Sequence, residues 1–125
     1  MRTFAYLVLV MFAACGKDEG PTMRPGEDCT SCHGFKVAGT VFPSASADAT
    51  EGVANIAVTL VDSAQQTITL TSNSAGNFYT EQKLAWPATV SLTQGAATVT
   101  MAMPLTGGAC NSCHKPGGIG RIHLP

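Results

Sequence analysis

The chain has 125 residues, 12% of them charged, and a formal net charge of −1. This length is enough for one small domain with a single core. The sparse and balanced charge leaves no basic stripe, so nucleic acid is not an expected partner. Apolar residues make up 45% of the sequence, a proportion typical of a folded rather than a disordered chain.

Residues 1–14 have the organisation of an export signal. Arg2 supplies a positive start, and the apolar run 4–12 is too short to span a bilayer as a helix. Residues 12–16, FAACG, resemble the lipobox of bacterial lipoproteins, although that family usually has Leu where this chain has Phe12. The resemblance implies cleavage before Cys15, lipidation of Cys15, and contact with a membrane through that lipid. The alternative is an ordinary secretory signal with no lipid.

The residues after the signal predict an anchored domain. The residue after Cys15 is Gly16 rather than the Asp that favours inner-membrane retention in enteric bacteria, so we expect the outer membrane of the cell envelope, facing the periplasm or the exterior. Residues 15–28 are predicted to be the lipidated Cys and a flexible polar tether, because 16–28 contain two prolines and three glycines. Residues 29–125 are expected to form a single domain.

Four of the five cysteines lie in two copies of one motif. Residues 29–33, CTSCH, are motif 1, and residues 110–114, CNSCH, are motif 2. Cys-x-x-Cys-His is the attachment signature of c-type haem, in which two thiols bond covalently to the porphyrin and the histidine binds the iron. We therefore predict two haem c groups. The predicted thioether residues are Cys29, Cys32, Cys110 and Cys113, and the predicted proximal iron ligands are His33 and His114.

Three other uses of these thiols stay open: one structural zinc site, two disulfides, or redox-active pairs. None of them requires a histidine after each pair, and a redox pair of the thioredoxin type belongs in a βαβ unit that this sequence does not predict. The two motifs resemble those of multihaem c-type cytochromes. The main alternative is a binding lipoprotein whose Cys pairs hold zinc or disulfides.

The second axial ligands are less well defined by the sequence. His123 is the only remaining histidine and is a candidate distal ligand for either iron. Met101 and Met103 are candidates for the other iron, although packing in the core is the alternative role for both. Further candidates are Met23, Lys36 and Lys115. An iron without a second protein ligand would bind small molecules, which keeps a haem-based sensor or peroxidase as a further alternative.

The region between the motifs predicts an all-β fold. Apolar side chains alternate with Thr and Ser in short runs separated by turn residues, which is typical of antiparallel strands. We predict a small β-sandwich of six or seven strands over about 37–103, flanked by two irregular haem-attachment segments. The six located strands are 37–42, 54–61, 66–72, 76–80, 88–93 and 96–103. Each strand takes the chain from one end of the sandwich to the other, so an even number of strands returns the chain to the end where it began. Six strands therefore predict that the two motifs lie near each other.

Part of this region resembles a known sandwich family. Residues 37–42 (VAGTVF), 52–60 (GVANIAVTL) and 71–78 (TSNSAGNF) are similar to the carboxypeptidase regulatory-like, prealbumin-type sandwich. The chain departs from that family in a long loop at 43–52 and in Trp86-Pro87, where the family often has a Gly-Tyr step. The resemblance implies a fold and not a function.

The expected function is electron transfer rather than catalysis. The sequence shows no Ser/His/Asp set, no paired carboxylates and no phosphate-binding Gly loop. Asp62 and Glu81 are expected at solvated strand ends. The expected partners are other redox proteins of the cell envelope, together with the membrane that holds the lipid.

Overall fold

The computed structural model describes residues 20–125 and shows seven strands in two sheets. The strands are β1 Val37–Phe42, β2 Ala57–Val61, β3 Thr67–Thr71, β4 Asn77–Thr80, β5 Thr89–Gln94, β6 Ala97–Thr100 and β7 Ile122–His123. A 3-10 turn at Cys29–Ser31 and a one-turn helix, α1, at Cys110–Cys113 complete the fold. The predicted all-β sandwich is confirmed. The predicted export signal and the predicted lipidation site Cys15 lie outside the described residues.

The two sheets have different pairings. The first sheet has the order β4-β1-β7, in which β1 pairs antiparallel with β4 and parallel with β7. The second sheet has the order β3-β2-β5-β6 and is antiparallel throughout. Six strands lie between the two motifs, as the sequence predicts, and β7 is an additional short strand after motif 2.

The core follows from the alternation of side chains along the strands. In β2, Val58 and Leu60 are buried while the residues between them are partly exposed, because successive side chains of a strand point to opposite faces. The buried cluster consists of Val37, Val41, Ile56, Val58, Leu60, Ile68, Phe78 and Leu92. The predicted inward positions of Ile56, Val58 and Leu60 are therefore confirmed.

Strand β1 is buried along its whole length. Val37 and Val41 belong to the core cluster on one face. On the other face, Thr40 bonds with residues of the segments that carry the two motifs, and Phe42 lies under the guanidinium of Arg121 at 4.3 Å. The segments that carry the two motifs thus bond to the outer face of this central strand at Thr40.

Two strands are at least three residues shorter than predicted. Strand β2 begins at Ala57 rather than at residue 54, because Asn55 has a φ of 63°, which interrupts an extended backbone. Strand β6 ends at Thr100, where its pairing with Ser91 of β5 ends, so Met101 and Met103 follow the strand.

The expectation for Asp62 was wrong. The side chain is 3% exposed, and its two carboxylate oxygens accept hydrogen bonds from the backbone N–H groups of Ala64, Gln66 and Ala85. A strand-end carboxylate is buried here because three donors from two loops converge on it and replace its water.

The described part of the predicted tether also differs from expectation. Residues 21–27 lie against the sandwich rather than extending freely. The side-chain amide of Asn77 donates to the carbonyls of Pro21 and Met23, and that of Asn111 donates to the carbonyl of Glu27. Composition alone predicted a flexible segment, and the amide donors that hold it come from distant parts of the chain.

No helix within residues 20–125 is long and apolar enough to cross a membrane.

Candidate haem-attachment site

The two motifs fold into equivalent helical turns. In motif 1 the backbone N–H of His33 donates to the carbonyl of Cys29 at 3.0 Å, and in motif 2 that of His114 donates to the carbonyl of Cys110 at 2.9 Å. Side chains three positions apart on such a turn share one face, so the two cysteines of each motif lie on the same side. Each turn therefore contains two cysteines three positions apart and a histidine directly after them.

The serine within each motif closes its turn in the same way. The Ser31 hydroxyl donates to the carbonyl of Asp28 at 2.8 Å, and the Ser112 hydroxyl donates to the carbonyl of Ala109 at 2.6 Å. The turns differ at their first residue, because the Asp28 carboxylate also accepts from the N–H of Thr30 and Ala109 offers no such side chain. The shared bonds indicate that the two motifs are conformational repeats.

Both turns pack on strand β1. Ala109 forms a bridge with Ala38, and the next residue, Cys110, lies over Gly39. A side-chain carbon on Gly39 would meet the Phe78 ring at 2.5 Å and the Cys110 Cβ at 3.0 Å, so only glycine allows this approach. Motif 1 contacts the same strand. The prediction that the motifs lie near each other is therefore confirmed.

A buried group of polar side chains joins the motifs, which we call the Thr40 cluster (Thr40, Asn77 and Asn111). The Thr40 hydroxyl donates to the Asn77 side-chain oxygen at 2.8 Å and accepts from the N–H of Gly26 at 2.9 Å and from the Asn111 amide at 3.0 Å. All three side chains are less than 5% exposed. No local sequence pattern marks these three residues, so the cluster could not be predicted from the sequence.

The motif 2 histidine is oriented by the loop that follows it. The Nδ1 atom of His114 lies 3.0 Å from the carbonyl oxygen of Gly120. In the tautomer that donates this bond, the Nε2 atom carries a free electron pair and is available to bind a metal. This is the arrangement by which a protein fixes the ring of a metal-ligating histidine.

The motif 1 histidine is placed by aromatic contacts. The His33 ring stacks on Phe35 with a centroid distance of 4.9 Å, and Phe35 stacks on Tyr79 at 4.5 Å. His33 is exposed, so its nitrogens remain accessible beside this stack.

The thiols differ in their surroundings. Burial raises the pKa of Cys110 to about 12, and the negative charges of Asp28, Cys113 and Cys29 add to the increase. Burial also raises the pKa of Cys29, with a further contribution from the charge of Asp28. Cys113 is exposed, and Cys29, Cys110 and Cys113 are free thiols, so neither motif contains an internal disulfide. Cys32 is disulfide-bonded, and a thioether at this sulfur requires that disulfide to be reduced.

The candidate distal ligands are spread over the molecule. His123 lies in β7 opposite Phe42, is exposed, and has its Nδ1 atom 3.0 Å from the carbonyl oxygen of Leu124. Met101 is half-buried and Met103 is 71% exposed, and both follow β6 at the edge of the second sheet. The two methionines are therefore attached to the sheet that does not carry the motifs.

A cleft of about 410 Å³ lies beside the motifs. Its walls come from motif 1 and the residues after it, from the loop between β4 and β5, and from the segment directly before motif 2. The lining residues are Thr30, Phe35, Lys36, Lys83, Leu84, Trp86, Gly107, Gly108 and Ala109. The cleft combines aromatic surface with two lysines. Within residues 20–125, no three His, Cys, Asp or Glu side chains are grouped so that they could hold a metal ion by themselves.

The chain matches no protein-family model, no curated protein and no solved structure. The functional assignment therefore depends on the motif residues and their geometry.

Proposed function

We propose that the protein is a dihaem c-type cytochrome that carries electrons at the bacterial cell envelope, held at the membrane by a lipid on Cys15. The observation that carries the proposal is the equivalence of the two motif turns, each with two cysteines three positions apart and a histidine whose backbone N–H donates to the carbonyl of the first cysteine. Bound haem supplies reversible one-electron chemistry at iron. Other envelope redox proteins would deliver and accept the electrons.

The residues present fit the chemistry of haem c. Each motif offers two sulfurs for thioether bonds and one imidazole for the iron, and His114 is already held by Gly120 in an orientation that leaves Nε2 free. Lys36 and Lys83 place positive charge at the cleft next to motif 1, where the carboxylates of a porphyrin would be neutralised. The protein itself would set the environment of the iron through these ligands and charges.

The alternative with structural zinc or two disulfides has partial support. The described residues contain no group of three metal ligands, and Cys29, Cys110 and Cys113 form no disulfide, whereas Cys32 is disulfide-bonded. The sensor or peroxidase alternative requires an iron with an open position, which is a question for spectroscopy.

The test is a cofactor inventory on the full chain, exported and matured in a host with c-type haem attachment machinery. We expect two covalent haems per chain by pyridine haemochrome assay and intact mass. The double variants Cys29→Ala/Cys32→Ala and Cys110→Ala/Cys113→Ala should each retain one haem, and Ser112→Ala should retain both. A colourless protein whose mass is that of the processed polypeptide plus lipid would overturn the proposal, and a stoichiometric zinc content would favour the alternative.

A further measurement separates a carrier from a sensor or peroxidase. Addition of carbon monoxide to the ferrous protein should leave the spectrum unchanged if both irons have two protein ligands. A carbon monoxide complex at either iron would favour the open-site alternative.

A further inference from the structure

The side chain of Asn111 links the two haem-attachment turns directly. Asn111 is the residue after the first cysteine of motif 2, and its amide donates to the carbonyl of Glu27 at 2.9 Å. Glu27 lies two positions before Cys29, the first cysteine of motif 1. One hydrogen bond therefore connects segments that are 84 residues apart in sequence.

The same side chain fixes both segments to the central strand. The Asn111 oxygen accepts from the backbone N–H of Thr40 at 3.1 Å, and its amide also donates to the Thr40 hydroxyl at 3.0 Å. The Thr40 hydroxyl in turn accepts from the N–H of Gly26, in the segment that leads into motif 1. Asn111 and Thr40 thus hold both motifs to one rigid point on β1.

Burial makes this connection firm. Asn111 is 3% exposed and Thr40 is fully buried, and no buried side-chain polar atom in the described part of the chain lacks a hydrogen-bond partner. A fully satisfied network in a low-dielectric environment has no competing partners in water, so it favours one arrangement of the elements that it joins. Cys29 is also close enough to Cys110 for a negative charge on its sulfur to raise the pKa of Cys110.

We infer that Asn111, together with Thr40, is a positioning residue that holds the two haem-attachment turns as one pair, so that the two haems are immediate neighbours in a fixed mutual orientation. This inference rests on the proposed function. It explains why an amide rather than a hydroxyl occupies this position: only an amide can accept from Thr40 and donate to both Thr40 and Glu27. The equivalent position in motif 1 is Thr30, which bonds only to its neighbour Asp28.

The test uses circular dichroism in the Soret region of the oxidised, fully matured protein. Two neighbouring haems in a fixed orientation couple their transitions and give a bisignate signal that isolated haems lack. We expect this signal in the wild type and its loss in Asn111→Ala at an unchanged haem content. Ser112→Ala, a change at the adjacent motif position whose hydroxyl bonds only within its own turn, should keep the signal.

A second comparison does not require a substitution at Asn111, so it remains informative if Asn111→Ala fails to fold. The spectra of the two single-haem variants, Cys29→Ala/Cys32→Ala and Cys110→Ala/Cys113→Ala, are added and compared with the wild type. A wild-type spectrum equal to this sum would overturn the inference, as would an Asn111→Ala protein that keeps the full bisignate signal. Either result would leave the dihaem assignment standing, whereas absence of haem in the inventory would overturn the proposed function itself.

Discussion

The Nδ1 atom of His114 lies within hydrogen-bond distance, 3.0 Å, of the carbonyl oxygen of Gly120. The loop between them brings the chain back on itself six residues after the motif, and Gly120 reaches this position with a φ of 88°. A left-handed backbone is therefore required to aim the carbonyl at His114. The residue that orients the His114 ring is a glycine that the motif itself does not include.

Gly120→Ala should disturb this orientation. An alanine at this φ costs about 1–2 kcal/mol, and its Cβ would lie 3.0 Å from the Cβ of Ala45. We expect a loss of stability in urea unfolding of at least this size. In the matured protein, the potential of the motif 2 haem should rise, because a weaker hydrogen bond makes the imidazole a poorer electron donor.

Gly117→Ala is the matched control for that variant. Gly117 has a similar φ of 83°, but an added Cβ would meet nothing within 4 Å. It should show the backbone cost without the contact with Ala45 and without the change in potential. Equal effects of the two substitutions on the potential would contradict a specific role for the Gly120 carbonyl.

The thiols of motif 2 should differ in reactivity before haem is attached. Cys113 is exposed, whereas burial raises the pKa of Cys110 to about 12. Since the thiolate is the reactive form, alkylation of the reduced, haem-free protein at mildly alkaline pH should modify Cys113 well before Cys110. Peptide mass mapping over time measures the order. In fully matured protein, neither residue should be alkylated, and early labelling of Cys110 in the haem-free form would show that it is not buried as described.

Thr40→Val tests the centre of the buried cluster without changing side-chain volume appreciably. The substitution leaves the N–H of Gly26, the Asn77 oxygen and the Asn111 amide without the hydroxyl that they share. We expect a loss of about 1–3 kcal/mol in the free energy of unfolding, because buried polar groups lose their partner.

Thr98→Val is the comparison for that change. The Thr98 hydroxyl lies 3.2 Å from that of Thr93, but both belong to an exposed cross-strand pair in which water can replace the lost bond. Its free energy of unfolding should change by no more than about 0.5 kcal/mol. A Thr40→Val protein as stable as Thr98→Val would argue against an energetic role for the cluster.

The parts of the fold that depend on local sequence were predictable. The buried side chains of Ile56, Val58 and Leu60 alternate with partly or fully exposed residues. This period of two indicates a strand from the local sequence alone, without information about distant residues. Strand β7 has only two residues, which is too short to show any period, and it exists because β1 offers an unpaired edge at Val41 and Phe42.

The residues of the candidate site were predictable only where they are contiguous in sequence, in the two Cys-x-x-Cys-His motifs. Both Cys-x-x-Cys-His sequences were visible, and so was the expectation that six strands bring them together. The roles of Thr40 and Asn111 were not visible, because each is one ordinary polar residue whose partner lies 71 residues away. The relationship to the carboxypeptidase regulatory-like sandwich stays a prediction.

The buried carboxylate of Asp62 gives the protein a predictable dependence on pH. Hydrogen bonds from the backbone N–H groups of Ala85 and Gln66, and also that of Ala64, hold the pKa of this carboxyl below its usual value of 3.8. A carboxyl whose pKa is lower in the folded state binds fewer protons there than in the unfolded state. Its contribution to stability is therefore complete above pH 3.8 and is lost as the pH falls through the lower folded-state pKa.

Asp62→Asn should remove this contribution. The backbone N–H of Ala85 donates to one carboxylate oxygen of Asp62, and an asparagine places an NH₂ group at that position. Two donors then face each other, and no hydrogen bond forms between them. The loop between β4 and β5 therefore loses its attachment to the end of β2. We expect Asp62→Asn to be less stable than the wild type at neutral pH and the difference to shrink below pH 3.8, where the carboxyl becomes protonated first in the unfolded wild type and then, at lower pH, in the folded protein. Glu81→Gln changes an exposed position just after β4, so the difference between its stability and that of the wild type should not change in this way with pH. Urea unfolding of the three proteins across this pH range measures the effect, and a stability difference that stays constant with pH would mean that Asp62 acts through its shape rather than through its charge.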